Sequence, residues 1–156
     1  MMVAGSCVVA FDPGEVTGWA VVRGQTVLGA GEVRANHDGQ KGKLVNRWYK
    51  AELIAAHDLW DAVFGVAGED EIVAVGCEDF VLRGRVSSRE ALSPVRLGVR
   101  LHTLQPVWPW HWVSPSDAKQ AVTNERLRRW GMWVKGSEHA RDAVRVAVCA
   151  DRRRLK

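Results

Sequence analysis

Cysteine is scarce in this chain: 156 residues hold only Cys7, Cys77 and Cys149. The number is odd and no two form a Cys-x-x-Cys pair. That argues against a disulfide framework or a thiolate metal site, and predicts reduced, buried thiols in a cytosolic protein. Long hydrophobic runs are also missing. No stretch approaches the ~20 apolar residues that span a bilayer, so no membrane partner is expected. The segment Met1 to Ser6 lacks a basic region followed by a long apolar run, so no secretory signal is expected, and the predicted location is the cytoplasm of a bacterial or phage-infected cell. Repeats, linkers and low-complexity segments are absent. The length suits one domain with one core, residues 1–156.

Neither sign of charge dominates. Lys and Arg number 22 against 18 Asp and Glu, a formal net charge of +4. So mild an excess says little about a polyanionic partner, but its distribution says more. Arg83, Arg85, Arg89, Arg96 and Arg100 fall in one short segment, Arg126, Arg128 and Arg129 form a second group, and Arg152, Arg153 and Arg154 a third. The first segment suits phosphate binding, since guanidinium groups match phosphate oxygens; a solvated helix face is the plainer alternative.

Val8-Val9-Ala10-Phe11 is an apolar run that stops at Asp12-Pro13-Gly14, a buried strand followed by a turn. Trp19 to Val22 and Val27 to Val33 continue it as an antiparallel meander, with a tight turn at Gly24-Gln25. From about Lys43 to Phe64 the period becomes helical, and Leu44, Trp48, Ala51, Ala55, Leu59 and Ala62 share one apolar face. Ile72 to Val75 reads as a buried strand running out at Gly76-Cys77-Glu78-Asp79. A helix follows, from Ser88 or Pro94 to Leu104. Trp110 to Val113 is a short last strand, and Ser114 or Ser116 caps the helix after it. The last helix runs from about Ser137 to Arg153. Three strands followed by two strands separated by helices predict an α/β fold. It has a five-stranded mixed sheet, three strands antiparallel and two parallel, flanked by helices.

Three acids stand where apolar elements end or pack: Asp12 after the first strand, Glu78 after the fourth, Asp142 in the last helix. A carboxylate there is costly to bury without compensation, and a divalent cation compensates several at once. If the first and fourth strands are parallel neighbours, Asp12 and Glu78 emerge at the same carboxyl edge, where open α/β sheets place ligands. His139 lies three residues before Asp142 and shares its helix face, which continues into Val146 and Cys149. Hard cations such as Mg²⁺ take carboxylate oxygens, and two of them can serve an in-line displacement at phosphorus. His139 suits a ligand or a general base. A dipole-stabilised acid at a helix start and a surface histidine are the purely structural alternatives. Asp79 is expected outside the ligand set and Glu15 in solvent. Trp130 and Trp133 flank a basic loop, where core or dimer contact outweighs stacking on unpaired bases.

The segment Phe11-Asp12-Pro13-Gly14-Glu15-Val16-Thr17-Gly18-Trp19-Ala20-Val21 resembles the first motif of RuvC-type Holliday junction resolvases. Glu78-Asp79-Phe80-Val81 resembles their second. Val113 to Thr123 is similar to their segment with a Pro, a Lys and a Val-Thr, and His139-Ala140-Arg141-Asp142-Ala143 is similar to their last motif. The resemblance runs from about position 8 to 152. It implies a ribonuclease H-like fold, a homodimer, and paired nicks in opposite strands of a four-way DNA junction with Mg²⁺, two ions per site, or Mn²⁺ in its place. It implies Asp12, Glu78, His139 and Asp142 as metal-site residues and Lys119 near the scissile phosphate. Arg83 and Arg85, directly after the Glu78 motif, are expected to hold the DNA backbone. The first turn is one residue shorter than in many bacterial members, and Asn124 to Trp130 replaces their Gly-rich loop, differences that resemble phage-type RuvC-like nucleases. The alternatives carried alongside are a nuclease of this fold for other branched, flapped or RNA-hybrid substrates, and a non-catalytic nucleic-acid-binding module. A sugar-kinase-like phosphotransferase would need a second domain that the length does not allow.

Overall fold

The protein was analysed as a computed structural model that describes residues 5–80 and 92–156. Three strands come first, β1 (Ser6–Asp12), β2 (Val16–Arg23) and β3 (Thr26–Arg34), then helix α1 (Leu44–Ala67) and β4 (Glu71–Glu78). Next are α2 (Ser93–Leu104), β5 (Trp110–Val113), α3 (Pro115–Ala121), α4 (Asn124–Arg129) and α5 (Glu138–Arg154). The strands form one sheet in the order β3-β2-β1-β4-β5. The pairs β1–β2 and β2–β3 are antiparallel, and β1–β4 and β4–β5 are parallel. This is the mixed sheet the hydrophobic pattern predicts, with its parallel strands joined through helical crossovers.

Side-chain alternation along β1 divides the core in two. Cys7, Val9 and Phe11 face α1 and α2, where they pack with Leu59, Trp60, Val63, Leu97 and Leu101. Val8 and Ala10 face the opposite way and pack with Ala143, Val146, Ala147 and Ala150 of α5. Fully burying each of Phe11, Leu59, Leu97 and Leu101 contributes roughly 1.5–3 kcal/mol. All three cysteines are buried and free, as expected. Among the described residues, no helix is long and apolar enough to cross a membrane.

The helix ends follow local chemistry. Gly68, at φ +58°, closes α1 in a conformation that side chains rarely adopt, and its N–H bonds to the Phe64 carbonyl. Ser114 Oγ accepts from the Asp117 N–H to cap α3, and Ser137 Oγ accepts from the Ala140 N–H to cap α5; each such cap contributes about 1 kcal/mol. Four details differ from the sequence pattern. Leu44 is exposed, so the buried face of α1 begins at Trp48 and includes the wholly buried Glu52. β4 continues through Gly76 and Cys77 to Glu78, because parallel pairing with His111, Trp112 and Val113 keeps them in the ladder. Residues 124–129 are helical, capped by Thr123, and not a loop; six residues are too few to show a period. α2 starts at Ser93, while the alternative start at Ser88 lies outside the described residues.

Candidate active site

Asp12 and Glu78 reach one place because of the β1–β4 register. Phe11 pairs with Cys77 in parallel, so Asp12 and Glu78 are the next residues along, at the carboxyl edge. Both follow the alternation that sends Ala10 and Gly76 toward α5. The turn after Asp12 is closed by the buried Thr17, whose Oγ1 donates to the Gly14 carbonyl (3.0 Å) and accepts from the Gly14 N–H (3.1 Å).

α5 reaches this edge because glycine lets it. Gly18 is the β2 partner of Asp12. A Cβ there would lie 1.9 Å from the His139 carbonyl oxygen and 2.8 Å from the Ala140 nitrogen. At Gly76 a Cβ would lie 3.0 Å from Val146 Cγ1 and 3.0 Å from the Ala150 methyl. The helix therefore rests on bare strand backbone at both points, and Ala140, Ala143, Ala147 and Ala150 are fully buried beneath it. Its first turn brings His139 Nδ1 to 3.0 Å from Asp12 Oδ2. With Asp12 ionised and the imidazole neutral, Nδ1–H is the donor and Nε2 of the half-exposed ring carries the lone pair. Asp142, one turn further on, is buried on the same side.

Lys119 lies in the last turn of α3 with its Nζ 3.8 Å from Asp142 Oδ2; its side chain is 57% exposed. The sequence pattern did not single out Arg145. This buried guanidinium bonds the Asp142 Oδ1, the Asn124 side-chain oxygen and the Val122 carbonyl. The available signal was its spacing of three from Asp142 on a helix face that is otherwise apolar.

The acids sense one another. Burial raises the Asp12 pKa most, and the Asp142 charge adds to that, against the lowering effect of His139. Burial, then the charges of Asp12 and Asp142, push Glu78 up to about 8. A carboxyl whose folded pKa exceeds its unfolded value stabilises the fold at low pH, and that contribution is lost as pH rises through the folded pKa. In EDTA the melting temperature should therefore fall as pH rises from about 5 to about 9. The Glu78→Gln protein should show a shallower decline. A wild-type melting temperature that climbs over that interval, or an identical slope in the variant, would contradict the shared negative potential.

Three carboxylates and an imidazole are donors suited to a hard divalent cation, and their mutual repulsion leaves negative potential for one to neutralise. The chemistry of the donor set suits such an ion. Yet among the described residues no three His, Cys, Asp or Glu side chains stand gathered as a ready ligand cluster. Asp12 is turned to His139, and Asp142 to Arg145 and Lys119.

Other expectations resolve as follows. Asp79 is exposed, and Glu15 pairs with Arg34 at 3.2 Å in solvent. Arg83 and Arg85 lie outside the described residues, as does Arg89. Arg96 and Arg100 are engaged at the α1–α2 contact. Both guanidinium groups face the buried Glu52, at 2.6 and 3.7 Å, because a carboxylate inside the α1–α2 contact demands counter-charge. Trp130 and Trp133 pack against the α5-side core, and Trp133 lies under Arg128 and Arg141, at 4.1 and 4.6 Å from its ring centre.

No protein-family model and no curated protein matches the chain. Solved structures do. RuvC of Thermus thermophilus in complex with a Holliday junction substrate is similar over 92% of this chain and 90% of its own, with a TM-score of 0.60 and 17% identity. A second structure of Thermus thermophilus RuvC is similar over 91% of both chains, with a TM-score of 0.55 and 19% identity. The chain therefore has the ribonuclease H-like fold of RuvC, and the likeness first read from its motifs extends over nearly its whole length.

Proposed function

We propose that this protein is a divalent-cation-dependent endonuclease that resolves four-way DNA junctions by paired nicks, acting as a homodimer in the cytosol. The observation that carries the proposal is that Asp12 and Glu78 end adjacent parallel strands at one sheet edge, with Asp142 of α5 near enough for its charge to act on both and with His139 and Lys119 beside them. Asp12, Glu78 and Asp142 would hold the cations, Mg²⁺ or Mn²⁺, with His139 as a further ligand or a base. Two such ions would neutralise phosphate charge and stabilise the attacking and leaving oxygens of an in-line displacement. His139, held through Nδ1 by Asp12, presents Nε2 to take a proton. Arg83 and Arg85 would hold the backbone near the cut. Incubation of the protein with four-way, three-way, flapped and duplex DNA and an RNA–DNA hybrid, with Mg²⁺, tests this. Paired nicks confined to the four-way junction are expected. Equal cutting of flaps or hybrids would establish the broader nuclease, and no cutting of any substrate the non-catalytic module.

Lys119 cannot ligate a cation while charged, and its exposed ammonium stands beside Asp142. Its fitting work is to offset charge on the phosphate as the bond breaks. Lys119→Ala should lower the single-turnover cleavage rate on the order of 10²-fold while changing junction affinity much less. An unchanged rate would remove Lys119 from the site.

A four-way junction presents two equivalent strands, which an isologous dimer can meet with two equivalent sites. The surface proposed runs from Leu92 to Leu104 with the helix near Trp48. There a groove of about 520 Å³ is lined by Tyr49, Leu53, Val95 and Val99 among others, and Tyr49 and Val99 are more than half exposed. Light scattering at micromolar concentration should give twice the chain mass, and Val99→Arg should halve it. A monomer that still makes paired nicks would refute the dimer.

A further inference from the structure

Arg145 is charged, nearly inaccessible and turned toward the acids, so it cannot serve as a surface contact to DNA. Its side chain is 7% exposed, and each of its donor edges is used inside the protein. Nε donates to the Val122 carbonyl at 2.9 Å, one terminal nitrogen to the Asn124 side-chain oxygen, and the other to Asp142 Oδ1. Val122 is the cap residue directly after α3, and Asn124 is the first of α4. The guanidinium is thus fixed at two points outside α5 and grips Asp142 with what remains. The other Asp142 oxygen, Oδ2, lies 3.8 Å from the Lys119 ammonium, on a side chain that is 57% exposed. One carboxylate oxygen is held by a buried, multiply bonded fork, and the other faces an exposed cation.

We propose that Arg145 is a positioning residue for the cation site: it immobilises Asp142 through Oδ1 so that Oδ2 is the oxygen offered to the ion, in exchange for Lys119. The inference rests on the metal-dependent reading above. It differs from a simple charge effect. A buried positive charge near a cation site repels the incoming ion, so if charge were all that Arg145 supplied, removing it would tighten binding. A fork that fixes the ligand predicts the opposite, since an unanchored carboxylate must be ordered when the ion binds. Lysine cannot reproduce the grip, because one ammonium cannot span the Val122 carbonyl, Asn124 and Asp142 together.

Calorimetric titration with Mn²⁺ in the absence of DNA tests this without reference to activity. Arg145→Met should weaken Mn²⁺ binding by about 10–100-fold, in line with losing an outer partner of a metal ligand. Arg145→Lys should fail to restore it. Asn124→Ala, which frees one anchor and leaves the Arg145–Asp142 contact, should weaken binding in the same direction by a smaller factor. Lys119→Ala should not weaken it. Wild-type or tighter Mn²⁺ binding by folded Arg145→Met, or full restoration by Arg145→Lys, would overturn the proposal. If the methionine and lysine variants do not fold, Asn124→Ala decides: unchanged affinity overturns it. Absence of Mn²⁺ binding by the wild-type protein would instead overturn the metal-dependent reading, and the inference with it, at a step that no variant enters.

Discussion

Asp12→Asn, Glu78→Gln and Asp142→Asn should each reduce junction cleavage on the order of 10³-fold or more, while each variant still binds the junction. Each change replaces an ionisable carboxylate by an amide of nearly the same shape; because Asp142→Asn also weakens the buried pair with Arg145, a thermal melt of each variant separates lost folding from lost activity. What is lost is ligand charge at a point where burial already disfavours ionisation of Asp12 and Glu78. A cation makes that ionisation affordable, and an amide cannot substitute for the carboxylate in drawing it there. Affinity for DNA should survive because cations contacting phosphates supply most of it, and removing an acid beside the phosphate reduces repulsion. Asp12→Asn carries a second consequence: His139 loses the carboxylate that orients its ring. Single-turnover cleavage together with gel-shift titration of the same junction checks both halves. Near-normal nicking by the Asp12→Asn protein would contradict the assignment.

Gly18→Ala should be the most disruptive single methyl among the described glycines. The new Cβ would meet the His139 carbonyl oxygen at 1.9 Å and carbon at 2.2 Å, and these are backbone atoms that no rotamer change can move. Either β2 bends away from β1 beside Asp12, or the first turn of α5 lifts. Overpacking of this kind costs about 3 kcal/mol, which lowers the melting temperature of a chain this long by roughly 6–12 °C. Cleavage should fall with it, because the first turn of α5 carries His139 and leads directly to Asp142. Gly65→Ala is the natural contrast. That glycine lies inside α1 with no atom within 4 Å of an added Cβ, and its φ is not positive. Alanine there should stabilise by roughly 0.5–1 kcal/mol and leave cleavage intact. Thermal melts and cleavage rates of the two variants side by side provide the check. A Gly18→Ala protein as stable as wild type would contradict the close seating of α5 on β2.

The parts of the site that were legible in the sequence are those where chemistry conflicts with pattern. Asp12 ends a run of apolar residues, Glu78 ends another, and Asp142 interrupts an alanine-rich helix face; each is a carboxylate where burial is expensive. Strand alternation and the parallel crossover then place the first two together without coordinates. Gly18 was quoted as part of a motif, but its purpose was not legible, since contact with His139 spans 121 positions of sequence that periodicity does not relate. Arg145 escaped for a related reason. The face beginning at His139 continues as Val146 and Cys149, and that apolar continuation drew attention away from a cation three residues after Asp142. α4 was hidden by its length, although Thr123 followed by Asn124 and Glu125 is a sound capping signal. The arginines were the least legible. Arg96 and Arg100 look no different in sequence from Arg83 and Arg85, and only the packing of α2 on α1 shows that the buried Glu52, 44 positions before Arg96, claims them.

The most direct measurement is cleavage of an end-labelled four-way junction by the wild-type protein under single-turnover conditions, in Mg²⁺ and in EDTA, with the strand positions of the cuts mapped. The expected result is symmetric nicks in two opposing strands that appear with Mg²⁺, vanish in EDTA and return when Mg²⁺ is restored. Cutting that persists unchanged in EDTA, or an intact junction in Mg²⁺ and Mn²⁺ alike despite tight binding, would contradict a cation-dependent resolvase built on Asp12, Glu78 and Asp142.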